Sequence, residues 1–181
     1  MNAHAGPSPA PAAAADAAAL RGGVAPLPER VAALRALFER VAHTRMAGLG
    51  LLHPGLAVHA EGFEPEADGR CAWGVLLTPW FMNLVRLPLV ADAPIAPPGR
   101  SCARVVGCER LDFIGAHDEG FGAYEICSLF SPMSAFVDQA AAVATAQAVL
   151  AELRRPPPEP GPAPARRALL FGRGADSARG A

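Results

Sequence analysis

The stretch TPWFMNLVRLP, residues 78–88, constrains the fold most strongly because it is apolar on both faces of the strand it would form. Side chains of a strand alternate between its two faces. One face would carry Trp80, Met82, Leu84 and Arg86, and the other Phe81, Asn83, Val85 and Leu87. A sheet with one wet side has polar residues at alternate positions. We therefore expect helices on one face, and on the other either a loop or second subunit, or an open apolar groove for a partner peptide.

Composition excludes several classes of function. A chain of 181 residues has room for one ordinary domain. The formal net charge of −1 argues against a nucleic-acid-binding protein, which usually carries a basic surface. No apolar run of about 18 residues is free of charge or proline, so no membrane span is expected. The N-terminal residues lack the basic and apolar regions of a secretion signal, so we expect a cytoplasmic protein with reduced cysteines.

Composition also divides the chain into three parts. Residues 1–26 are rich in alanine and proline and are predicted to be disordered. Residues 27–154 form the predicted folded domain. Residues 155–181 combine a proline-rich spacer with a basic tail that contains ARRALLFGR at 165–173. That motif resembles the start of a twin-arginine signal, an arginine pair followed by apolar residues. It is either a plain basic tail or a built-in pseudo-ligand of the domain.

Helical periodicity marks both ends of the folded domain. The first predicted helix has Pro28 and Glu29 in its first turn and Gly48 after its end. Its apolar stripe consists of Val31, Leu34, Leu37, Phe38 and Val41. The second predicted helix runs from about 132 to 153, with Ser131 as its N-cap. Its stripe consists of Phe136, Val137, Ala140, Val143, Ala144 and Leu150.

Short segments bounded by glycine and proline fill the region between the helices, and they are predicted to be strands. These segments are 56–63, 72–78, 81–87, 104–107, 110–116 and 123–130. No helix separates successive strands, so parallel crossovers are not expected. The predicted fold is α+β: a mainly antiparallel sheet with an N-terminal and a C-terminal helix packed on one face.

The segment GAHDEGFGAYEICSLFSP, 115–132, has the pattern of a glycine-rich hairpin. Five acidic residues against one arginine lie between positions 109 and 125: Glu109, Asp112, Asp118, Glu119 and Glu125. Such a turn is either simply solvated or able to bind arginine through its carboxylates.

A catalytic or metal site has little support in the sequence. His117 and Cys127 are symmetric about Gly122, which makes a Cys–His nucleophile of a thiol hydrolase or redox protein the alternative to a binding function. The cysteines contain no C-x-x-C pair, and the histidines have no short ligand spacing, so no metal and no cofactor are expected.

Two blocks of sequence resemble a known family. The segments GVLLTPWFMNLV and FIGAHDEGFGAYEICSLFSP, together with HPGLAVHAEGF, resemble the HybE family (HupJ/HoxT type) of [NiFe]-hydrogenase assembly chaperones. The resemblance spans about 30–153. It implies a non-catalytic cytoplasmic chaperone that acts on the iron–sulfur small subunit or on its twin-arginine signal peptide before export. It further implies contact with other hydrogenase maturation factors.

On this basis we expect one face of the Trp80 segment to form a groove for the signal peptide and the acidic hairpin to hold its arginine pair. The predicted partner-binding residues are Trp80, Phe81, Met82, Asn83, Leu84, His117, Asp118, Glu119 and Tyr124. Cys127 is the candidate thiol for the alternative function.

Overall fold

Two three-stranded meanders meet edge to edge in a single antiparallel sheet. The computed structural model describes residues 25–156. Its strands are β1 (His59–Pro65), β2 (Cys71–Leu77), β3 (Met82–Pro88), β4 (Ser101–Val106), β5 (Glu109–Asp118) and β6 (Gly122–Phe130). They lie in the order β1-β2-β3-β6-β5-β4, and every neighbouring pair is antiparallel. The predicted α+β class with an antiparallel sheet is confirmed.

Two helices flank the sheet on opposite faces. Helix α1 (Leu27–His43) forms one core cluster with Leu76 and Val85, whereas helix α2 (Gln139–Leu153) forms another with Val75, Leu77 and Leu84. Consecutive residues of β2 and β3 thus belong to different clusters. The prediction that both helices pack on one face is wrong, because strands that are apolar at nearly every position need cover on both sides.

The residues before β3 depart from the predicted strand. β3 begins at Met82, so Trp80 and Phe81 lie in the preceding turn. Both rings pack against the α1 cluster, whereas Met82 belongs to the α2 cluster. Trp80 is therefore not on the same face as Met82, because the regular alternation of a strand does not extend back through the turn.

Helix α2 begins later than its sequence pattern predicts. Its N-cap is Asp138, whose side chain accepts a hydrogen bond from the Ala141 N–H at 2.8 Å, rather than Ser131. Val137 is consequently outside the helix and 86% exposed. The buried stripe of α2 is instead formed by Ala142, Ala146, Leu150 and Leu153. Asp138 satisfies a free amide of the first turn and thereby fixes the start of the helix.

Candidate functional site

Four aromatic side chains gather at one end of the α1 face, and we call them the aromatic edge. The ring of Phe38 on α1 lies 5.5 Å from Phe81, 6.4 Å from Trp80 and 6.3 Å from Tyr124, measured between ring centroids. Trp80 and Phe81 are half-buried, and Tyr124 is buried behind them. Phe38 thus contacts three predicted site residues, Trp80, Phe81 and Tyr124. The sequence pattern assigns Phe38 only to the apolar stripe of the first helix.

The turn that holds Trp80 is organised by Thr78. The Thr78 hydroxyl oxygen accepts hydrogen bonds from the backbone N–H groups of Phe81 at 3.0 Å and Trp80 at 3.3 Å. The Phe81 carbonyl accepts bonds from the hydroxyl and backbone N–H of Thr78. Side-chain bonds of this kind compete with strand pairing and stabilise a turn. They keep both aromatic rings outside β3 and at the surface.

An open groove of about 550 Å³ adjoins this turn at Pro79. The C-terminal half of α1 and the segment 52–58 line it, with Leu56, Val58 and Pro79 as apolar lining. The His53 N–H donates to the Pro79 carbonyl at 2.9 Å and connects the groove wall to the Trp80 turn. Residues distant in the chain form this groove, and most of them lie outside the Trp80 segment from which a groove was expected.

The hairpin between β5 and β6 turns next to the aromatic edge. Asp118 pairs with Gly122, so residues 119–121 form the loop. Asp118 Oδ2 lies 2.9 Å from Arg45 Nη2, and Asp118 Oδ1 accepts the Gly120 N–H at 3.0 Å. Burial and the nearby Asp118 carboxylate both raise the pKa of Tyr124. His117, near the end of β5, and Glu119, in the loop, are both exposed, and we call Asp118 and Glu119 the acidic turn.

The other carboxylates of the hairpin do not join this turn. Glu125 is fully buried and accepts hydrogen bonds from Arg86 at 2.9 Å, from Arg104 at 2.5 Å and from the Ala96 N–H at 2.7 Å. Burial alone would raise the pKa of Glu125, but the bonds from Arg104, Ala96 and Arg86 outweigh it and lower the pKa. Glu125 therefore binds arginines of its own chain, as Asp118 does at the turn.

The same network fixes the long connection between β3 and β4. The Pro94 carbonyl accepts bonds of 2.8 Å from both Arg86 and Arg104. Further along, the chain crosses β5 so closely that a Cβ added to Gly115 would lie 2.2 Å from the Ala96 carbonyl oxygen. Glycine is required there by close approach, and the network is part of the scaffold that supports the hairpin.

Three predicted site residues lie in the core. Met82 and Leu84 are 0% exposed, and Asn83 is 5% exposed. Met82 and Leu84 point toward α2, on the far side of the sheet from the aromatic edge. A partner could reach them only if the core opened.

Cys127 and His117 do not form a catalytic pair. His117 lies opposite Ala123, and Cys127 pairs with Leu84 four positions further along β6. Burial, and secondarily the Asp112 carboxylate, raise the pKa of the Cys127 thiol, which disfavours the thiolate needed for attack. The predicted symmetry about Gly122 is wrong, because the hairpin loop is centred on Gly120.

Neither a metal site nor a membrane helix is found in the described part of the chain. Among residues 25–156, no three His, Cys, Asp or Glu side chains are placed to hold a metal ion. Within that range, neither helix has the length and apolar character needed to cross a membrane. The described residues thus form a small α+β domain in which half-buried aromatic rings lie between an acidic turn and a groove.

Comparison with known proteins identifies the family. The family model described as "[NiFe]-hydrogenase assembly, chaperone, HybE" matches residues 29–172. The chain is 44% identical to the protein HoxT of Cupriavidus necator over 160 residues, covering 80% of this chain and 89% of HoxT. It is 38% identical to the hydrogenase expression/formation protein HupT of Azotobacter chroococcum, covering 75% and 90%. The solution structure of HybE from Escherichia coli matches with a TM-score of 0.57 and 27% identity, covering 81% of this chain and 91% of HybE.

The chain belongs to the HybE family, and it is a hydrogenase assembly chaperone rather than an enzyme. The alternative of a thiol-dependent enzyme is not supported, because the family is one of assembly chaperones and the hairpin register does not pair His117 with Cys127. The matched region also extends past Pro156, the last described residue, to position 172. It therefore includes the spacer and most of the ARRALLFGR segment, beyond the 30–153 range that the sequence motifs suggested.

Proposed function

We propose that this chaperone acts in the cytoplasm on the iron–sulfur small subunit of a [NiFe]-hydrogenase and binds its twin-arginine signal peptide before export. The observation that supports the proposal is the junction of the aromatic edge, the acidic turn and the groove at one end of the α1 face. A twin-arginine signal presents an arginine pair followed by apolar residues. Carboxylates and aromatic rings are the groups that bind those two elements.

Trp80 and Phe81 would receive the apolar part of the peptide. Both rings are partly exposed, and the groove beside Pro79 extends the apolar surface. Burying one large apolar side chain contributes roughly 1.5–3 kcal/mol. Because both rings are already mostly buried, their further burial would contribute part of that, on the order of 1 kcal/mol each, which is close to a tenfold change in affinity.

Asp118 and Glu119 would receive the arginine pair, with His117 at the rim. Asp118 already contacts Arg45, whose side chain is 68% exposed. Exposed ion pairs contribute only about 0–1 kcal/mol, so an arginine of the client can displace Arg45 at small cost. This competition gives the proposal a specific signature: removing Arg45 should strengthen peptide binding.

The test is calorimetric titration of a synthetic twin-arginine signal peptide from a hydrogenase small subunit into the full chain and its variants. Trp80→Ala should weaken binding by about tenfold or more, because an aromatic contact is lost. Phe130→Ala is its control, since Phe130 is exposed and packs against Phe136 instead. Arg45→Ala should bind the peptide more tightly than the unmodified chain.

A second pair of variants tests the charges. Asp118→Asn/Glu119→Gln and Glu109→Gln/Asp112→Asn each remove two carboxylates from the same hairpin, but only the first pair belongs to the acidic turn. We expect weaker binding for the first pair alone. Equal affinity in all variants would refute the site, and no binding to the unmodified chain would move the contact to the mature small subunit.

A further inference from the structure

We propose that the tail segment ARRALLFGR docks on the aromatic edge and acidic turn of its own chain and competes there with the client. The inference rests on the proposed function for the location of the surface. It adds a second occupant, contained in the chaperone itself. Three observations support it: the chemistry of the tail, the charge of the domain, and the place where the described chain ends.

The tail contains the chemistry that this surface suits. Arg166 and Arg167 are followed within four residues by Leu169, Leu170 and Phe171. The exposed Glu119 and the partly buried Asp118 of the acidic turn, with the half-buried rings of Trp80 and Phe81, offer the complementary groups. The family model includes these residues although a proline-rich spacer separates them from the domain. The segment is thus part of the matched family unit.

Charge favours the same contact. Residues 27–154 hold 14 acidic residues and 10 arginines, a net charge of −4, whereas residues 155–181 hold five arginines and two acidic residues, a net charge of +3. On the acidic turn, Asp118 is bound by one arginine and one backbone amide. A carboxylate offers about four acceptor positions, so Asp118 retains acceptor capacity beside the exposed Glu119.

The length of the spacer matches the distance it must cover. The described chain ends at Pro156, beside the turn between β4 and β5, where the Cys108 thiol donates to the Arg155 carbonyl at 3.1 Å. The acidic turn lies at the other end of β5, whose ten residues (Glu109–Asp118) extend about 31 Å at roughly 3.4 Å per residue. Ten residues from Pro156 to Arg166 also extend about 31 Å at roughly 3.1 Å each. The arginine pair can therefore reach Asp118.

Tethering makes a weak contact sufficient. A short tether gives an effective concentration on the order of 1 mM. A tail contact with an intrinsic dissociation constant of about 0.1 mM would then occupy the surface in about nine molecules of ten. Because the client binds only the open fraction, its apparent affinity would fall about tenfold. The tail would therefore compete successfully with ligands that bind weakly, and a ligand that binds tightly would displace it.

The test uses the full chain with Trp73→Phe, which leaves Trp80 as its single tryptophan. Acrylamide quenching of Trp80 fluorescence then reports how well the aromatic edge is covered. We expect Arg166→Ala/Arg167→Ala to raise the quenching constant about twofold by releasing the tail. Arg155→Ala/Arg179→Ala removes the same charge from residues 155–181 outside the ARRALLFGR segment and should leave quenching unchanged. Equal quenching in all three chains overturns the proposal, as does an equal rise in both variants.

Titration of the same chains with the signal peptide separates this proposal from the preceding one. The Arg166→Ala/Arg167→Ala chain should bind the peptide about tenfold more tightly, and the Arg155→Ala/Arg179→Ala chain should not. Equal, measurable affinity in all chains keeps the client site and overturns the competing tail. If no chain binds the peptide but quenching still depends on Arg166 and Arg167, the tail docks and the proposed client is wrong.

Discussion

Glu119 and Glu125 lie on one hairpin, six residues apart, and their carboxylates have opposite environments. Glu119 is exposed in the turn, whereas Glu125 faces inward from β6 and binds Arg86 and Arg104. Alternation along β6 sets this difference, because Glu125 shares its face with Cys127, which packs against the α2 cluster. Removing one partner of a buried ion pair leaves an uncompensated charge and is strongly destabilising.

We therefore predict that Glu125→Gln lowers the free energy of unfolding by roughly 3–5 kcal/mol, measured by urea denaturation at neutral pH. Glu119→Gln is the matched control and should change it by less than about 0.5 kcal/mol. Because the folded pKa of Glu125 is lowered, its ion pairs stabilise the protein above the unfolded glutamate pKa of about 4.3. That stability is lost as the pH falls through the folded pKa. A Glu125→Gln chain that loses stability in acid as steeply as the unmodified chain would contradict this role.

At the scale of elements, the start of α2 provides the sharpest test. Asp138 caps the helix, whereas Ser131, the N-cap that the sequence favours, lies outside it. Asp138→Ala should lower the free energy of unfolding by about 1 kcal/mol, the usual cost of losing an N-cap. Ser131→Ala should have little effect in the same urea titration. The reverse order would show that the helix begins near residue 132.

All six strands and both helices could be predicted from alternation, helical periodicity and turn residues. The face of the sheet on which each helix packs could not be predicted. The central strands are apolar on both sides, so their sequences do not indicate which helix covers which face. The hairpin register was missed because Gly120 and Gly122 are equally plausible loop centres in sequence. Sequence patterns single out Trp80, Phe81 and Asp118 as candidate site residues, but their proximity to Phe38, to Arg45 and to the groove depends on packing between distant segments.

For the whole molecule, the main consequence of the opposed helices is that one sheet carries two cores. Trp73 packs against the α2 core and Trp80 against the α1 core, so each tryptophan reports on one face. Because β2 and β3 contribute to both cores, we expect them to unfold together. Trp73→Phe leaves Trp80 as the fluorescent probe, and Trp80→Phe leaves Trp73. In each of these chains, the urea midpoint measured by tryptophan fluorescence should equal the midpoint measured by circular dichroism.

Leu150→Ala sharpens that prediction. It opens a cavity only in the α2 core, and should destabilise the protein by about 2–5 kcal/mol. If the cores are coupled, the transition seen by Trp80 shifts as far as that seen by Trp73. A shift confined to Trp73 would mean that the two faces unfold separately.

The seam between the meanders also sets an order of events during synthesis. β3 ends at Pro88, but its partner β6 is complete only at Phe130, and the helix that covers its second face ends at Leu153. At about 5–20 residues per second, the ribosome needs about 2–8 s to add the 42 residues between the ends of β3 and β6. Throughout that interval the nascent chain holds a central strand with one unpaired edge and one uncovered apolar face, so the middle of the finished sheet is exposed for seconds while it is made.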